Sequence, residues 1–393
     1  MTNNRRFVIR IKRNRQSVRL VTLVAFLLVV CLPFHTVSVF GIGLLMLLGV
    51  PLLLLSFPTL LSRLRRTFWD RATVFLACYF GYNLLAFAWT PVFSANSVYT
   101  CVKVIIVVMC LYCQTYNSKE KKLLLWGSLI SCVIVCWFML TETNVGYESK
   151  RLTIAIFGVV QDPNYLGYLF LIPAAISLYQ FSLRQNLTWR ILWAVLAGVI
   201  LLCVLTTGSR GALLGVAAVV LTITLRRYRK FGSKLLFCLI MGLIISQFYF
   251  FVMSLLPEHI AARYSLKLIA DTGGTGRWKI WMDAVQTMAK QPYKLLFGFG
   301  TGSSRALIGW ATHNFLLQIL LELGIVGTVL FSSFFWIWFK RLSVQDPVCF
   351  APFMGCMALA MTLSVNTNYY FWVTFILSIV CSKARQEPGG GYF

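Results

Sequence analysis

The stretch that decides the fold is THNFLLQILLELGIVGTVLFSSFFWIWF, residues 312–339. Most of its side chains are apolar, and its length exceeds the roughly 20 residues with which a helix crosses a bilayer. Its first half also carries His313, Asn314, Gln318 and Glu322. Polar groups in a membrane helix are costly, and they usually face a bundle interior or a water-filled cavity. The stretch therefore predicts a membrane helix with a functional polar face.

The rest of the chain has the composition of a membrane protein. Of its 393 residues, 59% are hydrophobic and 12% are charged, and the mean hydropathy is +0.78. Continuous apolar runs predict helices, because a strand exposed on one face would alternate between apolar and polar residues. We expect one all-α, polytopic membrane domain over 1–393, with about twelve transmembrane helices. The predicted spans are 19–34, 39–59, 72–90, 98–114, 123–140, 164–182, 189–206, 211–225, 233–255, 313–339, 348–364 and 366–382.

The basic residues indicate how the chain is oriented. The net charge is +25, and its densest basic segments are RRFVIRIKRNRQSVR (5–19), SRLRRTFWDR (62–71) and LRRYRKFGSK (225–234). All three fall on one side of the predicted membrane, which the positive-inside rule assigns to the cytoplasm together with both termini. We expect this charge to contact membrane lipids and not nucleic acid.

Two predicted loops on the opposite, outer face are long, and they carry several candidate site residues. The first, 141–165, contains Arg151 and then Asp162 and Asn164 at the start of a span. Asp-Pro-Asn is also a common helix cap, so a purely structural role for this pair is the simpler alternative. The second loop, 257–312, is the only large predicted segment outside the membrane.

Within that large loop, residues 273–290 have apolar side chains at helical spacing. Trp278, Trp281, Ala284, Val285 and Met288 make up this face. The pattern predicts an amphipathic helix lying on the outer leaflet. Its first turn holds Arg277, a poor position for a cation in the helix dipole, which favours an anion bound beside it. An interfacial arginine that reaches for the lipid headgroups is the alternative.

The remaining candidates lie in short segments of the same face. Arg210 occupies a tight connection between two apolar helices, which favours a guanidinium held at the interface near a fixed anion. A solvated loop arginine is the alternative. The sequence GFGTGS (298–303) lacks the strand–helix unit of a nucleotide site, and we interpret it as a flexible turn. In the opening stretch, Asn314, Gln318 and Glu322 are spaced i, i+4, i+8 and form one stripe. Gly324 and Gly327 are expected to let a neighbouring helix approach closely.

These residue types suit one kind of chemistry. Arginine binds phosphate through two parallel hydrogen bonds, and a neutral histidine accepts a proton from an alcohol. Both are needed when a hydroxyl attacks a carbon whose leaving group is a phosphate or diphosphate. The sequence has no DxD or HExxH motif, so we expect neither a metal nor another cofactor. An outer-face site favours a lipid-linked phosphate donor.

The order DPNYLGY, TTGSRGALLG, GTGRWKIW, GFGTGS and THNFLLQILLELGIVG resembles the O-antigen ligase/polymerase family of bacterial membrane glycosyltransferases. The resemblance is clearest over 200–330, the expected ligase-like core, and is weaker back to about 151. It implies a GT-C-like fold and metal-independent, inverting transfer of a glycan from undecaprenyl diphosphate. It also implies that Arg210 and Arg277 bind the diphosphate and that His313 is the catalytic base. Arg151 is a looser match, and we expect Asp162, Asn164, Asn314, Gln318 and Glu322 to support the site.

The expected location is the bacterial inner membrane, with the active site on the periplasmic or extracellular face. The expected pathway is assembly of lipopolysaccharide O-antigen, capsule or exopolysaccharide, in which the acceptor is a glycan or a lipid. A polymerase is slightly favoured, because the outer face has only a mild basic surplus for a heavily phosphorylated acceptor. A ligase that attaches finished glycan to lipid A-core is the alternative within the family. A flippase for lipid-linked oligosaccharides is the alternative from another class, and the oligomeric state stays open.

Overall fold

The computed structural model describes most of the chain outside its termini. The described residues are 17–39, 42–66, 70–141, 143–146, 151–156, 159–183, 186–227, 232, 254, 261–262, 264–265, 276–345 and 347–382. The predicted span at 233–255 and much of the first part of the predicted 257–312 loop lie outside them.

Helices dominate this part of the chain. They are α1 (Leu20–Val30), α2 (Leu44–Arg66), α3 (Arg71–Leu85), α4 (Ala95–Tyr112), α5 (Ser118–Thr141), α6 (Pro163–Leu183), α7 (Leu187–Thr206), α8 (Arg210–Arg227), α9 (Arg277–Lys290), α10 (Lys294–Phe297), α11 (Ser304–Ile308), α12 (Phe315–Gln345), α13 (Pro347–Ala360) and α14 (Tyr369–Val380). Two short 3-10 helices, Leu32–Phe34 and Ala86–Trp89, follow α1 and α3.

Seven of these helices are long and apolar enough to cross a membrane. They are α2, α3 together with the 3-10 helix that extends it to Trp89, α4 to α7, and α12. Several expose large apolar side chains, and α7 is the clearest case: Leu187 is 68% exposed and Val195 is 56% exposed. A soluble protein rarely exposes a continuous apolar face of this kind, whereas lipid tails would cover it. The all-α, polytopic membrane class predicted from the sequence is therefore confirmed.

The other predicted spans have different outcomes. The regions predicted at 19–34, 348–364 and 366–382 contain shorter apolar helices, Leu20–Val30, Pro347–Ala360 and Tyr369–Val380. The region at 211–225 falls within α8, which has arginines at both ends. Twelve spans and the GT-C-like arrangement stay predictions.

Short strands interrupt the helical fold at two places. β1 (Ser38–Val39) pairs with β2 (Ile42–Gly43), and β3 (Thr143–Gly146), β4 (Arg151–Ile156) and β5 (Val159–Gln161) form an antiparallel sheet. The second sheet occupies much of the segment predicted as the loop 141–165. Its strands were not predicted, because two to six residues are too few to establish a period.

Close helix packing positions the start of α8. Helix α8 packs against α6 and α13, and small residues line the contact. A Cβ added to Gly211 would lie 2.1 Å from the hydroxyl oxygen of Thr362, and one added to Gly167 would lie 2.7 Å from the Cβ of Ala212. Small residues let membrane helices approach closely, so these contacts fix α8 against its neighbours.

Helix α12 is broken at Gly324, whose φ of 64° and ψ of −163° are not helical. A Cβ on Gly324 would lie 2.5 Å from the amide nitrogen of Gly298 and from the carbonyl oxygen of Leu296. Gly324 therefore lets the short helix α10 and the residue that follows it, Gly298, approach closely, as expected. Gly327 does not provide the expected close approach, because the nearest atoms to a Cβ there belong to Leu323 of the same helix.

The loop that fills this space is the glycine stretch 298–303. Its residues Gly298, Phe299, Gly300, Thr301 and Ser303 are buried. The amides of Phe299 and Gly300 donate to the carbonyl oxygens of Leu321 and Glu322 at 2.9 and 2.8 Å, and this pairing joins the loop to the end of the first α12 segment. The chain does turn at Thr301 and Gly302, as interpreted, but the expected flexibility is wrong, because most of the loop is buried and the backbone of Phe299 and Gly300 is hydrogen-bonded.

Candidate functional site

His313 lies immediately before α12 in an unusual backbone conformation. Its φ is 48°, and it is the one non-glycine residue with positive φ in the described part of the chain. Such a conformation costs roughly 1–3 kcal/mol when the residue is not glycine, and it persists where the surroundings hold it. His313 is half-buried.

Ser364 holds this backbone from the connection between α13 and α14. The amide of His313 donates to the Oγ of Ser364 at 3.0 Å, and the same Oγ lies 2.9 Å from the Oγ1 of Thr312. The hydroxyl of Tyr165, in the first turn of α6, donates to the carbonyl oxygen of Ser364 at 3.2 Å. Ser364 thus links the start of α12 to the start of α6.

The polar stripe of α12 divides into two parts. Asn314 caps the helix, since its Oδ1 accepts from the amide of Leu317 at 3.1 Å. Gln318 and Glu322 lie deeper in the same segment, where Gln318 Nε2 donates to Glu322 Oε1 at 3.3 Å. Ser304 of α11 donates to the same oxygen. The predicted stripe is present, with a capping residue at its outer end and a buried carboxylate, 2% exposed, at its inner end.

Asp162 and Asn164 connect α6 to the start of α8. Asp162 Oδ1 accepts from the backbone amide and the side chain of Asn164 at 2.9 and 2.7 Å. Asn164 Oδ1 in turn accepts from the hydroxyl of Ser209 at 2.7 Å, and Ser209 Oγ accepts from the amide of Ala212 at 3.1 Å. The pair caps and supports helices here. Its contact with Ser209 fixes the residue immediately before Arg210.

Arg210 and Arg277 occupy equivalent positions in two helices. Each is half-buried and is the first residue of its helix, α8 or α9. A helix N-terminus presents backbone N–H groups and a partial positive charge, so a guanidinium there strengthens an environment that attracts anions. The expected placement of Arg277 in the first turn of a helix is confirmed.

Helix α9 is fixed against the start of α12. The indole nitrogen of Trp281 donates to the carbonyl oxygen of Thr312 at 3.0 Å, while Ala284 and Met288 are buried in a cluster with Phe299 and Leu321. Residues four apart share a helix face, so Arg277 lies one turn from the residue that contacts Thr312. Trp278 and Val285, which are 63% and 48% exposed, form the outer part of this helix.

Arg151 is the first residue of β4, where its backbone pairs with Gly146. Ile154 pairs with Gln161 in the next strand. Arg151 is therefore three residues, or about 10 Å along the strand, from the end of the sheet that leads into Asp162.

The structure adds residues that the sequence interpretation missed. Ser364, Ser209 and Tyr165 hold the candidate residues in place, and none of them has a charge or spacing that indicated this. Arg305 of α11 is exposed and lies close enough to Tyr165 to act on it electrostatically, as Asp162 does. It was overlooked because it is an isolated arginine in a polar loop.

The arrangement combines a histidine in a fixed backbone with arginines at two helix starts. A histidine accepts and releases protons near neutral pH, and guanidinium groups stabilise negative charge on an oxygen. Contacts through Ser364, Ser209 and Trp281 connect the elements that carry them. Such a set can activate a hydroxyl and stabilise an anionic leaving group.

Comparison with known proteins agrees with the sequence resemblance. No curated protein matches the chain significantly. Residues 193–332 match the family described as O-Antigen ligase (Wzy_C). The matched range includes Arg210, Arg277 and His313, and it ends within α12. The predicted resemblance to the O-antigen ligase/polymerase family is therefore confirmed for residues 193–332, about a third of the chain.

Proposed function

We propose that the protein is a glycosyltransferase that moves a glycan from undecaprenyl diphosphate to a sugar hydroxyl during assembly of a surface polysaccharide. The family match supports transfer of this general type. The observation that carries the proposal is the position of Ser364, which contacts both His313 and Tyr165. It connects the histidine to the α6 terminus, whose Asn164 holds the residue before Arg210.

His313 acts as the general base in this proposal. Its imidazole takes the proton of the acceptor hydroxyl while the hydroxyl oxygen attacks the anomeric carbon of the donor sugar. A new carbon–oxygen bond forms on one side, and the bond to the diphosphate breaks on the other, which inverts the configuration. The electron pair of the broken bond leaves with undecaprenyl diphosphate, and the imidazolium then releases its proton to water.

Arg210 and Arg277 bind the departing diphosphate. Their guanidinium groups, together with the N–H groups at the starts of α8 and α9, stabilise the charge that develops on the leaving oxygen. The proposal assigns no step to a metal ion, because two arginines supply the positive charge. Arg151 is a weaker candidate for substrate binding at the far end of its hairpin.

The proposed orientation follows from the basic segments. Both termini face the cytoplasm, and the starts of α6, α8 and α12 face the periplasm or the exterior of a bacterial inner membrane. Helix α9 then lies at the outer interface, with Trp278 towards lipid. This location suits a donor whose lipid chain stays in the bilayer.

A polymerase, which extends a glycan chain by repeat units, is the favoured form of this activity. The mild basic surplus of the predicted outer loops is a weak match for a heavily phosphorylated acceptor. A ligase that attaches finished glycan to another acceptor is the alternative.

The test uses purified protein in lipid vesicles with the undecaprenyl-diphosphate oligosaccharide of the same cells. We expect a ladder of products spaced by one repeat unit, with inverted anomeric configuration by nuclear magnetic resonance. A single transfer that requires an added acceptor would identify a ligase. Movement of the intact lipid across the bilayer without transfer would exclude the glycosyltransferase and identify a flippase.

A further inference from the structure

A polar cavity lies beside the first segment of α12, away from His313. Its volume is about 170 Å³, far more than the roughly 10–15 Å³ that one water molecule requires. Exposed Asn96 and Ser97, in the first turn of α4, lie at its rim, while Glu322 and Asn366 are buried in its wall. The cavity is therefore open to one side and polar at depth.

A hydrogen-bond network fixes the orientation of the Asn366 side chain. Its Oδ1 accepts from the hydroxyl of Tyr79 at 2.6 Å and from the Nδ2 of Asn83 at 2.8 Å. Asn83 is oriented in turn, because its Oδ1 accepts from the hydroxyl of Thr301 at 2.7 Å. The Nδ2 of Asn366 must then lie on the other side of the amide, where it has no partner within the described residues. It is an available hydrogen-bond donor.

Glu322 provides an acceptor in the same wall. Its Oε1 accepts hydrogen bonds from the hydroxyl of Ser304 and from the side-chain amide of Gln318. Its Oε2 is buried and accepts no hydrogen bond from the part of the chain that the structure describes. A buried polar atom without a partner costs about 1–3 kcal/mol, so a molecule that supplies the missing bond is favoured here.

The chemistry of the lining selects the class of ligand. The described lining of the cavity contains an acidic side chain and no lysine or arginine, so it lacks the groups that bind the diphosphate of the donor. A sugar ring presents hydroxyls that both donate and accept, together with an apolar C–H face. Phe87 provides an apolar surface in the cavity, and Thr100 adds a hydroxyl. Mixed apolar and polar lining with a few well-placed hydrogen-bonding groups is typical of a small-molecule site.

We infer that this cavity binds a sugar unit of the glycan substrate, with one hydroxyl donating to Glu322 Oε2 and another oxygen accepting from Asn366 Nδ2. The inference rests on the proposed glycosyl transfer. Glu322 follows His313 by nine residues, or roughly 13 Å along a helix. The bound sugar is therefore a unit remote from the bond being formed, and it belongs to the donor glycan or to the acceptor.

Two variants test the cavity without disturbing its support. Ser97→Tyr places a large side chain at the exposed rim, and the cap of α4 survives because it uses the side chain of Ser94 and the backbone of Ser97. Glu322→Gln removes the charge at nearly constant size. Thr224→Val, in α8 beside a different groove, is the matched control.

Binding is measured on the full chain in lipid nanodiscs without donor lipid. The probe is the oligosaccharide released by mild acid from the lipid-linked glycans of the same membranes, detected by saturation-transfer nuclear magnetic resonance. We expect Ser97→Tyr to weaken binding about tenfold because its side chain fills the entrance, and Glu322→Gln to weaken it about tenfold because one hydrogen bond is lost. Thr224→Val should leave binding unchanged. Equal binding by all variants would mean that the cavity holds water only and would overturn the inference.

Two further measurements separate the remaining outcomes. The melting temperature is also compared between sodium chloride and choline chloride. If sodium chloride raises it in the unmodified protein but not in Glu322→Gln, and no saccharide binds, the cavity is a cation site and the inference is overturned. In the transfer assay, a raised KM for acceptor alone or for donor alone identifies which glycan occupies the cavity. Transfer with no cavity-dependent binding refutes the sugar site and leaves the proposed function standing. Cavity-dependent binding with no transfer refutes the function and leaves the sugar site standing.

Discussion

The Oγ of Ser364 lies 3.0 Å from the backbone nitrogen of His313 and accepts its hydrogen bond. The contact joins the short connection between α13 and α14 to a histidine whose φ is 48°. A residue in this conformation needs support from its surroundings. Ser364 is therefore a positioning residue for the proposed base.

Replacing Ser364 separates positioning from folding. We expect Ser364→Ala to lower kcat roughly tenfold with little change in the KM for donor, because the imidazole keeps its chemistry and loses its fixed position. Ser364→Thr retains the hydroxyl and restores most of the rate. Steady-state transfer kinetics on the three proteins provide the measurement. Equal loss in Ser364→Thr and Ser364→Ala would show that the hydroxyl is not the relevant group.

The glycine loop can be tested with two substitutions of the same kind. Gly300 and Gly302 both have positive φ, 100° and 78°, but a Cβ on Gly300 would lie 2.5 Å from the Cα of Thr90, whereas one on Gly302 meets nothing within 4 Å. We expect Gly300→Ala to lower the melting temperature markedly more than Gly302→Ala, since it adds a backbone clash to the same conformational strain. Thermal unfolding in detergent measures both. A similar decrease in melting temperature for both variants would show that the close packing around Gly300 does not contribute to stability.

The packing of this glycine loop could not be predicted from the sequence. Glycines in GFGTGS indicate positive φ but not what surrounds them, and the neighbours, Thr90 and Gly324, are distant in sequence. The polar stripe was predictable because i, i+4, i+8 spacing is local to one helix. The cavity beside Glu322 was not, because α4 and the α13–α14 connection supply its other walls.

The apolar helices were predictable for the same local reason. Each long span consists mostly of apolar residues over about 20 positions, which is the length that a helix needs to cross a bilayer. The three-stranded sheet within 143–161 was missed because short apolar strands and an irregular loop have similar compositions. Ser364 was missed because one serine in a short connection has no distinctive neighbour in the sequence.

Arg210 provides a test of diphosphate binding. We expect Arg210→Ala to reduce the rate of transfer about 10²-fold, because one group that stabilises the leaving oxygen is lost. Arg210→Lys keeps the charge without the paired N–H groups, so its rate should be intermediate. Arg190→Ala, at the opposite end of α7, is the control and should retain activity. Equal rates for Arg210→Ala and the control would remove Arg210 from the diphosphate site.

Protonation of His35 is expected to make the free energy of unfolding depend on pH. Burial and, to a smaller extent, the positive charge of Lys103 lower the pKa of His35 to about 4, below the ordinary value of 6.5. Between these two pKa values the unfolded chain binds more protons at this histidine than the folded chain does. The contribution of His35 to the free energy of unfolding is therefore fully present above pH 6.5 and is lost as the pH falls towards 4. We expect the melting temperature to decrease from pH 7 to pH 5.

A matched variant isolates this histidine. The ring of His35 packs edge-on against Tyr370, with 4.6 Å between centroids, and His35→Phe keeps an aromatic ring that does not titrate. Its melting temperature should change less between pH 7 and pH 5 than that of the unmodified protein. Identical acid sensitivity in the two proteins would assign the effect to other groups.

The role of His313 as the base is tested most directly by comparing His313→Gly with the unmodified protein in the same vesicles and with the same lipid-linked donor. Glycine adopts a φ of 48° without strain, so this variant should keep or raise the melting temperature while the base is lost. We expect a folded protein whose transfer rate is about 10²–10⁴-fold lower. A folded His313→Gly protein that transfers glycan at the full rate would contradict the assignment of His313 as the catalytic base.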